Sequence, residues 1–368
     1  MNVEKQKEFL KRLLEMDNIE NVNKELIDVI LEEQLNYVPK GKLYKFRTCS
    51  NQNFNILAEN SIWIPNADTF KDVFDCTVNL NLKKKVSQMI DWLQNDFISF
   101  LCEAINNELD KNGITEKINE NEFKLCYEKC FTSNGERDTK KEYEFYKRYL
   151  PAENCDIEFA KRQEQLSEVN NSVKEIVASM LEKAIEELMK LQTTLRGSLS
   201  IYCMTESLDN HNLWEVYADD YTGFCIEYSF ENIFNKKLDE YKNLIYLFPM
   251  IYRKRIPDFD WTPIIKKLIV EKLLKKEYEE IKDTLLALNM YIFYKNKDYE
   301  SEREWRMVIA RSEKNNYFFP FVNAIYAGKD IKKSNLQRLK KIAKKLNVPL
   351  YIQTINKMNN GYVYITVE

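Results

Sequence analysis

The chain has 368 residues and a formal net charge of −3, from 55 basic and 58 acidic side chains. This near balance argues against a polybasic nucleic-acid coat protein or a membrane-surface binder, but it leaves room for a local basic patch. Glycine and proline are scarce, at 7 and 8 residues, and so few turn residues favour long helices over a sandwich of many hairpins.

The numbers and spacing of cysteine and histidine limit the kinds of metal and disulfide site that we expect in the chain. The 8 cysteines include no pair with the two-residue spacing of zinc motifs, so we expect free thiols in a reducing cytoplasm. No basic start followed by an apolar stretch is present, so we expect no signal peptide, and the apolar run 244–252 is too short to span a membrane. The single histidine, His211, argues against an ordinary zinc site, and we expect no metal.

Residues 1–40 predict an N-terminal helical segment, because apolar residues such as Phe9, Leu10 and Leu13 recur on one helical face. Residues 41–81 predict the first part of an α+β core. The elements expected there are a strand at 42–47, a short helix at 53–59 and a strand at 61–64.

Residues 82–197 predict a large helical insertion, because they are rich in Lys, Glu and Leu and contain few turn residues. The helices expected there lie at 84–110, 120–149 and 155–194. Such an insertion would either support the fold or serve as a lid or a partner-binding surface.

Residues 198–368 predict the second part of the core, with a helical excursion at about 263–297. The strands expected there lie at 199–205, 224–228, 250–254, 304–310, 321–326, 350–353 and 362–367. Strands separated by helices of uneven length favour an α+β fold over a regular doubly wound sheet. The scattered glycines form no glycine-rich phosphate loop, so any nucleotide would be held by other means.

A first cluster of candidate residues lies on the strand at 42–47. Lys45 and Arg47 would share one face of this strand, opposite Tyr44 and Phe46. Two adjacent cations suit a diphosphate or carboxylate ligand, with the guanidinium as a planar fork of donors. The alternative is an edge strand with a solvated cationic face and ion pairs to Asp72 or Asp75.

A second cluster is an aromatic stripe on a short helix. Trp214, Tyr217, Ala218 and Tyr221 recur at helical spacing, and Gly223 would then permit a left-handed exit from the helix. Large rings at this spacing form either part of the core or a shelf for a cofactor ring.

A third cluster is a row of charged residues at 302–309. If the whole stretch is a strand, Glu302, Glu304 and Arg306 face the same way, roughly 6–7 Å apart. Two carboxylates and a guanidinium in a row could orient a ribose hydroxyl or stabilise positive charge. The alternative is a cross-strand ladder of ion pairs, which contributes little when exposed.

These segments, in this order, resemble the bacterial domain-of-unknown-function family numbered 2971. The matching stretches are Leu43–Thr48, Phe70–Asp75, Trp214–Gly223 and Tyr299–Arg306, and the resemblance covers about 41–80 and 198–330. Lys71 and Val73 replace the Asn and Pro of the family motif, and Tyr299 replaces a tryptophan. The acidic and basic motif residues remain, so these departures affect loop geometry more than chemistry.

The opening of that family is similar to the start of ADP-ribosyltransferase-like folds. This similarity implies a mixed or split curved sheet that binds NAD without a glycine-rich loop, and an acidic residue on a later strand. By this resemblance Glu304 would be the catalytic glutamate beside the nicotinamide ribose, and Glu302 would orient or deprotonate the acceptor. Arg306 would hold the carboxylates in place.

The same resemblance implies a set of cofactor-binding residues. Arg47 and Lys45 would hold the diphosphate of NAD, and Trp214 or Tyr217 would pack on the nicotinamide ring or shield it. Asp75 is a further cofactor-binding candidate. A bacterial enzyme of this kind would act on a protein or nucleic-acid acceptor, in phage defence or as a toxin.

Two other functions stay open from the sequence. The same residues would serve a non-catalytic module that senses NAD or another nucleotide, and the lysine-rich face of a helix at 332–346 would suit a nucleic-acid-associated protein. Whether the chain is an enzyme, which acceptor it uses and how it oligomerises are not predicted.

Overall fold

The computed structural model describes residues 1–16, 24–70, 72, 75–79, 81, 87, 91–92, 96–111, 113–114, 116–130, 138–149, 186, 189–190, 193, 196–231, 246–264, 266–267, 282–311, 315–356 and 361–367. The chain divides into two compact units. The first unit comprises 1–77, 193–256 and 289–368, and the second comprises 78–192 and 257–288.

The first unit contains most of the β-structure. Its helices are α1 (Val3–Met16), α2 (Lys24–Leu35), α3 (Asn51–Ala58), α7 (His211–Tyr217) and α9 (Lys333–Leu346). Its strands are β1 (Lys42–Arg47), β2 (Ser61–Trp63), β3 (Leu199–Thr205), β4 (Phe224–Ser229), β5 (Leu247–Pro249), β6 (Ile251–Arg253), β7 (Tyr294–Asn296), β8 (Glu304–Ala310), β9 (Asn316–Phe318), β10 (Val322–Ala327), β11 (Leu350–Asn356) and β12 (Gly361–Thr366).

The described part of the second unit is helical. It contains α4 (Phe97–Lys111), α5 (Glu120–Glu128) and α6 (Thr139–Tyr149), and α8 (Lys282–Met290) lies mostly within it. Leu101, Phe123 and Phe145 are buried together in the core of this unit. The helix predicted at 155–194 lies mainly outside the described residues, as do most of 82–95 and 268–281. None of the helices that the structure describes is both long and apolar enough to cross a membrane.

The main sheet of the first unit has the strand order β12-β11-β10-β4-β1-β3-β8-β5. β10 and β11 are parallel and the other neighbours are antiparallel, so the sheet is mixed. The predicted α+β class with a mixed sheet is therefore confirmed. Because β1 lies between β4 and β3, it is an interior strand, and the alternative of an edge strand with a solvated cationic face is wrong.

The sheet is only loosely joined at its centre. β1 pairs with β4 at every position from Lys42 to Arg47, but it pairs with β3 only at Tyr44 and Thr205. On the far side of this opening, β3 pairs with β8 along its whole length. Lys45 and Arg47 lie on β1 at one side of this opening, and β8, which begins at Glu304, is the strand next to β3 at the other side.

Three small strands were not expected from the sequence, and β5 at Leu247–Pro249 is the first of them. Positions 294–296 form β7, whereas the sequence predicted a helical block as far as about 297. The helix α8 ends at Met290, and a short 3-10 turn separates it from β7. β9 pairs with β2 in a separate two-stranded sheet. Each of these strands has three residues, which is too short for an alternating pattern to be recognised.

Candidate functional site

The centre of the candidate site is a buried arginine on β8. The Arg306 side chain is 1% exposed, and its guanidinium binds both carboxylate oxygens of Asp75, at 2.8 and 2.7 Å. Its Nε donates to Glu304 Oε1 at 2.7 Å, and Nη1 also donates to the Ile292 carbonyl oxygen at 2.8 Å. A guanidinium this fully bonded within the chain positions the two carboxylates and does not itself face a ligand.

Glu304 is held from two sides. Its second oxygen accepts from Lys295 Nζ at 2.6 Å, and its backbone N–H donates to the Tyr252 hydroxyl at 2.8 Å. Burial alone would raise the pKa of Glu304, but Arg306 and Lys295 outweigh it and hold the pKa at about 2. The carboxylate is therefore ionised at any physiological pH.

Lys295 joins the two glutamates. Its ammonium lies 2.6 Å from Glu302 and 2.6 Å from Glu304, and its side chain is 15% exposed. Burial lowers the pKa of Lys295, but the two carboxylates raise it well above its usual value. The result is a compact group of two carboxylates around one ammonium, with the Glu302 side chain 16% exposed and the Glu304 side chain 8% exposed.

The two glutamates come together differently from the prediction. A 3-10 turn spans Lys297–Glu302, Arg303 takes a left-handed conformation with φ of 45°, and β8 begins only at Glu304. The expectation that Glu302 alternates on the same strand is therefore wrong. The Glu302 carboxylate reaches Glu304 because the turn folds back and because Thr205 Oγ1 donates to the Glu302 carbonyl oxygen at 2.6 Å.

Of the two aromatic candidates on α7, the structure exposes one and buries the other. Trp214 is fully buried, donates from Nε1 to the Leu208 carbonyl oxygen and packs edge-on against Phe46. Tyr217, at the last position of α7, is 49% exposed. Partial burial and the Glu302 carboxylate raise the pKa of Tyr217 to about 12, so its hydroxyl lies within the electrostatic reach of the acidic group.

The cationic candidates lie across the opening in the sheet. Lys45 Nζ donates to the Cys203 carbonyl oxygen at 2.6 Å, and Lys45 and Arg47 both lie over the Tyr202 ring, at 5.1 and 5.6 Å. Burial and the neighbouring Arg47 lower the pKa of Lys45 to about 8, while Glu304 acts in the opposite direction. Lys45 therefore lies beside Arg47 and within electrostatic reach of Glu304, but its hydrogen bond is to the backbone of β3 and not to the acidic group.

Gly223 is needed for a reason other than the predicted one. The left-handed residues after α7 are Asp219, Asp220 and Tyr221, and the predicted left-handed exit at Gly223 is wrong. A Cβ at Gly223 would lie 2.3 Å from the Arg47 carbonyl oxygen and 2.7 Å from that of Ala218. The absence of a side chain lets the end of β1 pass close to the start of β4.

His211 lies in the lining of a surface depression. His211 Nδ1 is 2.8 Å from the Tyr221 hydroxyl, and its ring packs against Tyr362. A shallow depression of about 410 Å³ is lined by Ser207, Asp209, Asn210, His211, Asn212, Ser301 and Arg303. It contains none of the predicted site residues, but it adjoins the turn that carries Glu302.

Sequence reasoning missed several residues of the site, above all Lys295. Lys295 and Tyr252 are paired on β7 and β6, and both reach Glu304 from that small sheet. Two thiols also lie near this group. Cys76 Sγ is 3.1 Å from Arg306 Nη1. The pKa of Cys203 is raised, mainly by burial and secondly by the charge of Glu304. A lysine in a short, unrecognised strand gives no local signal, so none of these partners could be assigned.

Comparison with known proteins finds a matching family model but assigns no activity to the chain. No curated protein and no solved structure matches the chain. Two of the four motif stretches, Trp214–Gly223 and Tyr299–Arg306, lie inside the matched range, and the structure joins the second of them to a third stretch through the Arg306–Asp75 pair. Over residues 213–307, the chain is similar to a family described as a protein of unknown function, DUF2971, as the sequence motifs predicted.

Proposed function

We propose that this protein is an NAD-binding enzyme of the ADP-ribosyltransferase type, acting on a protein or nucleic-acid acceptor in phage defence or as a toxin. The observation that supports this most is the group formed by Glu302, Glu304 and Lys295 beside a partly exposed aromatic ring, next to an opening in a mixed sheet. A carboxylate pair near a ring-binding surface is suited to hold a ribose and its aromatic substituent.

The donor and acceptor groups of the site fit the chemistry of NAD. Arg47 offers a planar guanidinium to a diphosphate, assisted by Lys45, which lies within electrostatic reach of Glu304. Tyr217 offers an exposed ring to the nicotinamide. When bound, NAD would supply the ribose–nicotinamide bond that is broken.

The two glutamates would have different roles in the reaction. Glu304 stays ionised because its pKa is held at about 2, and it would supply negative charge next to the ribose. Glu302, with the more exposed side chain, would orient or deprotonate the acceptor. Arg306 and Asp75 would hold Glu304 in position and would not contact the cofactor.

A non-catalytic nucleotide sensor is the second candidate, and one observation favours it. Lys295 and Arg306 already neutralise Glu304, so its charge is shared with the protein before any ligand binds. In such a sensor the same residues would bind NAD or a related nucleotide without breaking it.

The test is nicotinamide release from NAD by the purified full-length protein, with water as the acceptor of the ADP-ribosyl group, measured chromatographically. We expect Glu302→Gln to slow release by about 100-fold, which is the usual effect of removing a general base. The matched control is Glu300→Gln, in the same turn but 58% exposed, which should change the rate less than about twofold. Thermal unfolding of each variant checks that the fold is intact.

The outcomes separate the two candidates. NAD binding with no nicotinamide release by the wild type supports the sensor. Equal rates for the wild type and Glu302→Gln contradict the enzyme as proposed here, and a protein that does not bind NAD contradicts both candidates.

A further inference from the structure

We propose that the exposed face of α9 binds the phosphate backbone of a nucleic-acid duplex. This helix carries six basic residues and no acidic residue, within a chain whose net charge is −3. Its preceding residue, Lys332, adds a further cation and provides no side-chain cap for the helix. The concentration of charge on one element is therefore local and not a property of the whole chain.

The apolar side of α9 packs against the rest of the protein. Leu339, Ile342 and Ala343 are buried, whereas Lys333, Lys341, Lys344 and Lys345 are exposed on the other side. The helix thus presents one face to the protein and one cationic face to solvent.

The hydrogen-bond acceptors of Arg338 and Lys345 do not neutralise the charge of these two side chains. Arg338 donates to the side-chain oxygens of Asn51 and Asn55, and Lys345 donates to the Ala58 carbonyl oxygen at 2.8 Å. These are neutral acceptors on α3, so they fix the direction of two cationic side chains without neutralising them. The guanidinium and ammonium groups remain available to an anion.

Other helices of the same chain are built differently. On α1 and α5, lysines alternate with acids in pairs such as Lys7–Glu4 and Lys124–Glu120. On α9, Lys341 and Lys345 stand four residues apart with like charge, and Lys333 lies at the helix start, where the helix dipole disfavours a cation. A polyanion bound to this face would reduce both the repulsion between the lysines and the unfavourable interaction of Lys333 with the helix dipole.

The chemistry of α9 favours a duplex over other anionic partners. A membrane-surface helix needs exposed apolar residues beside its cations, whereas the apolar residues of α9 are buried or half-buried and none is exposed. Single-strand binding uses aromatic stacking, and α9 has no aromatic residue. Lys333 and Lys344 are about 16 Å apart along the helix axis, a length over which a duplex presents several phosphates.

The test is fluorescence-anisotropy binding of the full-length protein to a labelled 20-base-pair duplex across a series of salt concentrations. We expect the double variant Lys341→Glu with Lys344→Glu to bind at least about tenfold more weakly at low salt, and the slope of log affinity against log salt to shrink by about 2. The control is Lys117→Glu with Lys129→Glu, exposed lysines elsewhere that alter the net charge equally and should have little effect.

Three results would overturn the proposal. The first is equal duplex affinity for the wild type and the α9 variant at every salt concentration. The second is an equal loss of affinity in the control variant, which would show that only net charge matters. The third is tighter binding to phosphatidylserine vesicles, or to the single strand, than to the duplex. Because none of these assays contains NAD, the result is independent of the proposed enzyme activity.

Discussion

Arg306 shows how one side chain organises the candidate site. It joins Asp75 from one motif stretch to Glu304 from another, and it does so in a fully buried position. A buried charge that loses its partner is strongly destabilising, because the remaining charge cannot be solvated. The site and the stability of the first unit therefore depend on the same residue.

Replacing this guanidinium tests that dependence. We expect Arg306→Lys to lower the free energy of unfolding by roughly 3–5 kcal/mol, because an ammonium cannot bind Asp75 bidentately while also reaching Glu304. The same substitution at Arg311, which pairs with Asp68 at the surface, should cost less than about 1 kcal/mol. Urea unfolding measures both, and similar losses in the two variants would contradict the central position of Arg306.

Lys45 gives a pH-dependent prediction. Its pKa falls from 10.5 to about 8 in the folded protein, so the unfolded chain binds more protons between these values. By linkage, Lys45 should make the folded state progressively more stable as the pH rises from 8 to 10.5. Lys45→Met should remove this contribution, as measured by urea unfolding at several pH values. Parallel pH curves for the wild type and the variant would show that the lysine titrates normally.

At the scale of elements, the junction between β1, α7 and β4 sets the geometry of the site. The left-handed residues Asp219–Tyr221 turn the chain after α7, and Gly223 then passes against the backbone at the end of β1. The same segment carries Tyr217 at the end of its helix. A shift at this junction would move both the exposed ring and the strand that bears the cations.

A methyl group at Gly223 should disturb this junction. We expect Gly223→Ala to cost about 2–3 kcal/mol of stability, because the added Cβ meets backbone atoms that cannot rotate away. Gly197→Ala is the matched control: its Cβ would meet nothing within 4 Å, and its effect should stay within about 0.5 kcal/mol. Equal Tm values for Gly223→Ala and the wild type would contradict the close approach described here.

The elements that carry long apolar patterns were predictable from the sequence. The bounds of β8 and β3 follow from their runs of strand-forming residues. Helical spacing placed Trp214 and Tyr221 on one stripe, but Tyr221 lies after the end of α7 in a left-handed conformation and stacks on Trp214 from there. Periodicity could not show that Tyr217 is exposed, because that depends on where α7 ends. Nor could it find Lys295, whose partners are brought to it by a turn and by the main sheet.

At the scale of the molecule, the first unit gathers distant segments around the opening between β1 and β3. The acidic turn follows the cationic strand and the segment ending at Asp75 by more than two hundred residues of chain. Arg306 nevertheless pairs with Asp75, and Lys45 lies within electrostatic reach of Glu304. The order of the motifs indicated that these segments belong together. Only the strand order shows that β1 is an interior strand beside this opening.

The account depends on the cationic and acidic groups forming one ligand site, and calorimetric titration with NAD tests this most directly. We expect NAD to bind the wild type, and both Arg47→Met and Glu304→Gln to weaken binding at least about tenfold, or 1.4 kcal/mol each, while Arg311→Met binds like the wild type. Unchanged affinity in both site variants, or no binding by the wild type, would contradict a shared NAD site at this opening.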